Sequence, residues 1–183
     1  MGNKNRFKAI TLTIQILSSF ILRSFENLLK EHFIITLFLT MLIGAGGNCG
    51  NQVAVTVVRG IATGEIKIRK DSLQSSFKTI KDLLVSEITQ GIGLAIMVCA
   101  VAFARVILFS SNQNILDNTF LKEAIGIVTS LFLIIITSIA IGVLLPIAFL
   151  FASLDPGHAV ATITVIMDIF GVVIVCTVFE FLV

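Results

Sequence analysis

Asp168 stands in a run, 159–178, that is apolar apart from a few threonines. Placing a carboxylate at that depth in a membrane costs about 2.5–3.5 kcal/mol, so an acid found there is by default a functional residue. Ala161, Thr164, Asp168 and Gly171 share a stripe at helical spacing. Small neighbours leave the volume that water and a cation need beside the acid. The alternative is a protonated Asp168 that hydrogen-bonds a neighbouring helix, because burial favours the neutral acid. A second group lies earlier in the chain, where Gly44 to Gln52 packs four glycines and three amides into an apolar segment. At helical spacing Gly44, Asn48, Gln52, Thr56 and Arg59 form one polar face, and Gly47 lies beside it. Polar groups at membrane depth face either protein or a water-filled path. Gly46 and Gly50 make a small-xxx-small pair that lets two helix backbones approach closely, so a packing role for the whole segment competes with a solute path. Glu87 is the second acidic candidate, and a solvated position at a helix end is its alternative.

Other chemistries find less support. Cys49, Cys99 and Cys176 sit in separate apolar segments without the spacing of a zinc site or a disulfide framework, and read as small hydrophobes. His32 and His158 are isolated, each near a predicted interface. An intramembrane hydrolase would need Asp168 to converge with Glu87 or Asp155, or a metal-ligating histidine pair, and no HExxH-like pair occurs. No Walker-type glycine loop is present, which argues against ATP-driven pumping, and no enzymatic activity or nucleic-acid partner is expected. A non-conducting ion sensor remains open.

The elements that must position these residues follow from composition. The chain of 183 residues is 56% hydrophobic and 13% charged, with a mean hydropathy of +1.05. Soluble domains carry roughly 25% charged residues. The apolar runs exceed the roughly 20 residues that span a bilayer and lack the alternation of a barrel strand, so the fold class is all-α, an integral membrane bundle in contact with lipid. Five transmembrane helices are predicted within one domain, 1–183, at about 9–25, 33–58, 83–109, 120–151 and 160–182. No removable signal peptide is expected, since the first apolar segment lacks a small-residue cleavage site. Between the second and third helices, Lys67, Arg69, Lys70, Lys78 and Lys81 alternate with Ile66, Ile68, Leu73, Phe77 and Ile80, which suggests either a short amphipathic helix at the membrane surface or a solvated linker. Five helices starting inside place nine Lys and Arg on the cytoplasmic side and four outside, so the expectation is a multi-pass protein of the cell (inner) membrane, N-terminus cytoplasmic and C-terminus outside.

Several motifs then converge. The stretch Ile43-Gly-Ala-Gly-Gly-Asn-Cys-Gly-Asn-Gln52, closing at Arg59-Gly-Ile-Ala-Thr-Gly-Glu65, resembles the second transmembrane helix of the MgtE magnesium transporters. Glu87-Ile-Thr-Gln-Gly-Ile-Gly93 is similar to the start of their third helix, and Gly142-Val-Leu-Leu-Pro146 to the end of their fourth. Asp155-Pro156, followed by Thr162-Ile-Thr-Val-Ile-Met-Asp168, resembles the entry to their fifth helix and its ion-binding aspartate.

The resemblance implies a homodimer whose second and fifth helices line one central pore. It implies that Asp168 from both copies holds a largely hydrated Mg²⁺ as transported ion, helped by backbone carbonyls at Thr164 and at Val160 or Ala161. Gly44, Gly47, Asn48, Gln52 and Glu87 would then line or hydrate the path. Mg²⁺ gives up water reluctantly, which suits a pair of carboxylates better than a closed cage. Thr40 and the run 159–162 stand where the family often has prolines, so Ca²⁺ or Mn²⁺ stays open as cargo. Only residues 1–8 precede the first predicted helix, so the family's cytoplasmic N-domain and paired CBS domains are not expected here. Eukaryotic carriers similar to two such modules fused suggest a Na⁺- or H⁺-coupled Mg²⁺ exchanger as the rival mechanism.

Overall fold

The computed structural model describes residues 13, 16, 20–68, 73–109 and 118–182. Most of the first predicted span, 9–25, lies outside the described residues. A short helix α1, Glu26–Glu31, leads into α2, Phe33–Thr63, followed by α3, Leu73–Phe109, α4, Asn118–Phe151, and α5, His158–Leu182. Among the described residues, four helices are long and apolar enough to cross a membrane.

Helix α4 is the hub. It packs against α2, α3 and α5, and α2 in turn packs against α5. Its buried positions include Phe120, Ala124, Ile127, Leu131, Ile134, Ser138 and Gly142, spaced by three and four residues. Helix α3 packs extensively on α4 alone and keeps a face of Ile92, Ile96, Met97 and Val101 exposed. Apolar side chains turned outward in this way match a hydrocarbon surround.

Glycines set the closest approaches. A Cβ on Gly46 would meet Ile134 Cγ2 at 2.5 Å, and one on Gly50 would meet Ser138 Oγ at 2.6 Å and Ile163 Cγ2 at 2.7 Å. The fully buried Ser138 hydroxyl donates to the Gly46 carbonyl. Gly46 and Gly50 therefore serve packing, as the small-xxx-small spacing allows.

Two boundaries differ from the sequence expectation. Helix α2 continues to Thr63 and stops where Gly64 turns left-handed, at φ 77°, and Ile66 N–H returns to the Gly60 carbonyl at 2.9 Å. Helix α3 begins at Leu73, so the basic segment, read from sequence as either a short surface helix or a solvated linker, is from Leu73 onward the first turns of this long helix. The cause is continuous apolar spacing: Ile80, Leu83 and Leu84 join Ile61, Ile66 and Ile68 around the buried Val57, Val143 and Ile147. This cluster closes one end of the bundle.

At the opposite end, His32 Nδ1 lies 3.0 Å from Glu123 Oε1, with both side chains more than four-fifths buried. The His32 ring also sits 6.2 Å from that of Phe179. This joins the start of α2 to the start of α4 and the end of α5. Glu123→Ala leaves a buried ring nitrogen unpaired and is expected to cost about 1–3 kcal/mol. Thermal unfolding in detergent reads this as a lowered Tm, whereas removing the exposed Lys30–Glu26 pair should leave Tm essentially unchanged.

Candidate functional site

Helices α2 and α5 run antiparallel, and their register follows from local contacts. A Cβ on Gly171 would meet Ile43 Cγ1 at 2.9 Å, and one on Gly46 would meet Met167 Cε at 3.0 Å. Asn51 Nδ2 donates to Thr164 Oγ1 at 2.9 Å. In that register Asp168 is level with Gly44 and Ala45.

The seam is open around the acid. A Cβ on Gly44 would meet nothing within 4 Å, and one on Gly47 would sit at an ordinary 3.6 Å from Thr164 Cγ2. Asp168 is half-buried, and among the described residues its carboxylate has no hydrogen-bond or ion-pair partner. Gly44, Asn48, Ala161 and Thr164 are exposed on the surface of the single chain, whereas Gly47 is buried. Val160 is half-buried against the core. Val160 and Ala161 both lie in the first turn of α5, so helical bonding takes one lone pair of each carbonyl and leaves the second free.

Asn51 was not among the residues singled out from spacing. Its amide nitrogen is committed to Thr164, while its Oδ1 is buried with no hydrogen-bond partner among the described residues. A buried acceptor without a donor is costly unless water or a ligand supplies one. The available signal was its position three residues after Asn48, on the same helical face as Gly44.

The other expected lining residues part company with this seam. Gln52 and Glu87 meet on the opposite side of α2, in a cavity of about 150 Å³ shared with Cys49, Gln90, Gly91 and Ile139. Asp155 has a local task. Its carboxylate accepts from the Gly157 amide at 2.9 Å and its carbonyl accepts from His158 N–H at 3.1 Å, which forms the turn that starts α5. Among the described residues no group of three or more His, Cys, Asp or Glu gathers to hold a metal. Any cation at Asp168 would be bound largely through water or by a second copy.

Apolar helices long enough to span a membrane, with a half-buried carboxylate about one turn from an amide and a hydroxyl, define a polytopic α-helical membrane protein with a polar seam between α2 and α5. The profile described as MgtE, divalent cation transporter, matches residues 39–178, and the chain belongs to that family, whose members are transporters and not enzymes. It is 28% identical over 166 residues to a magnesium transporter MgtE of Bacillus subtilis, covering 90% of this chain and 33% of that protein. It is 33% identical over 64 residues to a magnesium transporter MgtE of Thermus thermophilus, covering 35% of this chain and 14% of that protein. The chain thus spans about a third of the length of the Bacillus relative.

Proposed function

We propose that this chain moves a divalent cation across the membrane, with Mg²⁺ the leading cargo, along the seam between α2 and α5. The observation that carries the reading is the half-buried Asp168, without a partner among the described residues and level with the open space at Gly44. Thr164 Oγ1, which accepts from Asn51, lies about one turn away on the same seam and suits the water shell of a hydrated ion. Because this face is open on the single chain, a second copy across it would complete the path and set two Asp168 carboxylates against one cation. A divalent ion balances that pair, and an empty pair repels itself and draws cations in.

In this reading the end bearing Arg59, Lys67, Lys78 and Lys81 is cytoplasmic and the end with His32 and Glu123 is outside. Both relatives are named magnesium transporters, which favours Mg²⁺ among the divalent ions. The test is uptake into proteoliposomes under Mg²⁺, Ca²⁺ and Mn²⁺, with and without an opposing Na⁺ or H⁺ gradient. Uptake that is lost in Asp168→Ala supports the assignment, and dependence on the gradient would identify a coupled exchanger. No divalent uptake by well-folded wild type would overturn it.

A further inference from the structure

A second site of another kind lies between α2, α3 and α4, near the end that carries His32 and Glu123. Met41 and Ala45 of α2, Val98, Val101 and Ala102 of α3 and Leu131 of α4 line an open cavity of about 110 Å³, and Arg105 stands at its edge. Apart from that one guanidinium the lining is apolar. An arginine this close to a helix end ordinarily extends its charge towards the headgroups. The Arg105 side chain lies against α2: its guanidinium carbon is 5.6 Å from the centre of the Phe38 ring, and one terminal nitrogen is 3.9 Å from Met41 Sδ. Among the described residues no carboxylate pairs with it. Neither a ring face nor a thioether uses up the donors of a guanidinium fork, so several N–H groups remain for an anion.

We infer that this groove binds one phospholipid with an anionic headgroup, an acyl chain lying along Val98, Val101 and Met41 and the phosphate meeting Arg105. Charge and depth select this occupant. Arg105 is four residues from the described end of α3 at Phe109, about 6 Å along the axis, which places the cation at headgroup level above an apolar slot. A bilayer supplies one molecule that is anionic at that level and apolar below it. Because α3 packs extensively on α4 alone, a lipid filling the gap beside α2 would brace it.

The test is native mass spectrometry of the full chain in detergent with equimolar phosphatidylglycerol and phosphatidylcholine, alongside thermal unfolding with each lipid and with inorganic phosphate. Phosphatidylglycerol should be retained at least about tenfold over phosphatidylcholine, since both present a phosphate but only the choline headgroup adds a cation that opposes the Arg105 guanidinium. It should also raise Tm by several degrees, through binding to the folded state alone. Arg105→Gln should bring the two lipids to parity. Val101→Trp, at an exposed position where folding is not at stake, should fill the groove and reduce retention of both. Equal retention by wild type, an equal Tm rise with inorganic phosphate, an undiminished preference in Arg105→Gln, or undiminished retention of both lipids in Val101→Trp would each overturn the inference.

Discussion

Asp168→Asn is expected to cut divalent cation flux by at least about 100-fold while leaving the fold unchanged. The two side chains have the same shape, and the carboxylate has no partner among the described residues whose hydrogen bond would be lost. What changes is charge. At an effective dielectric of about 20, a carboxylate about 5 Å from a divalent ion, with one water between them, contributes roughly 7 kcal/mol of gross attraction. Each 1.36 kcal/mol of barrier is a factor of ten in rate, so a net loss of well under half that attraction suffices for a 100-fold decrease. Thr164→Val keeps shape and charge and removes one hydroxyl, so its effect should be closer to tenfold. Flux in proteoliposomes, normalised to correctly folded protein, is the measurement. Near-equal flux in Asp168→Asn and wild type would remove Asp168 from the path.

The other large effect is on folding. Gly142→Leu should prevent assembly of the native bundle, because a Cβ there would lie 2.8 Å from the Gly50 carbonyl oxygen and 2.9 Å from Val53 Cβ. The first of these is backbone, which cannot rotate away. Overpacking a well-filled core costs about 1–3 kcal/mol. Here α4 would also have to retreat from α2, breaking the Ser138–Gly46 hydrogen bond. Size-exclusion profile and Tm in detergent report the outcome. Gly44→Ala is the control: it lies in open space and should leave stability within about 0.5 kcal/mol of wild type, with Tm essentially unchanged.

The glycines of α2 show how far spacing carries. The small-xxx-small pair at Gly46 and Gly50 was readable as a packing device, but its partners, Ile134, Ser138 and Ile163, lie some 90 to 110 residues away, and no local pattern announces them. Asp168 was conspicuous because ionised groups are rare in such a run. Asn51 was passed over since the stripe through Gly44, Asn48 and Gln52 drifts around the helix. The fold divides that stripe, with Gly44 on the α5 side and Gln52 beside Glu87 against α3. The extent of α3 was misjudged for a similar reason. Lysines near Ile80 suggested a surface element, whereas Ile80, Leu83 and Leu84 are held by residues of α2 and α4.

Pro146 lies inside α4 and has no amide hydrogen, so the carbonyl of Gly142, one turn earlier, lacks its helical donor. A residue pressed against the α2 backbone is thus also one with a missing rung. On one side of this point lies the large apolar cluster, and on the other the small group of Val57, Val143 and Ile147. The helix nevertheless runs unbroken from Asn118 to Phe151, so its contact with the α2 backbone at Gly50 steadies a point that its own hydrogen-bond ladder leaves weak.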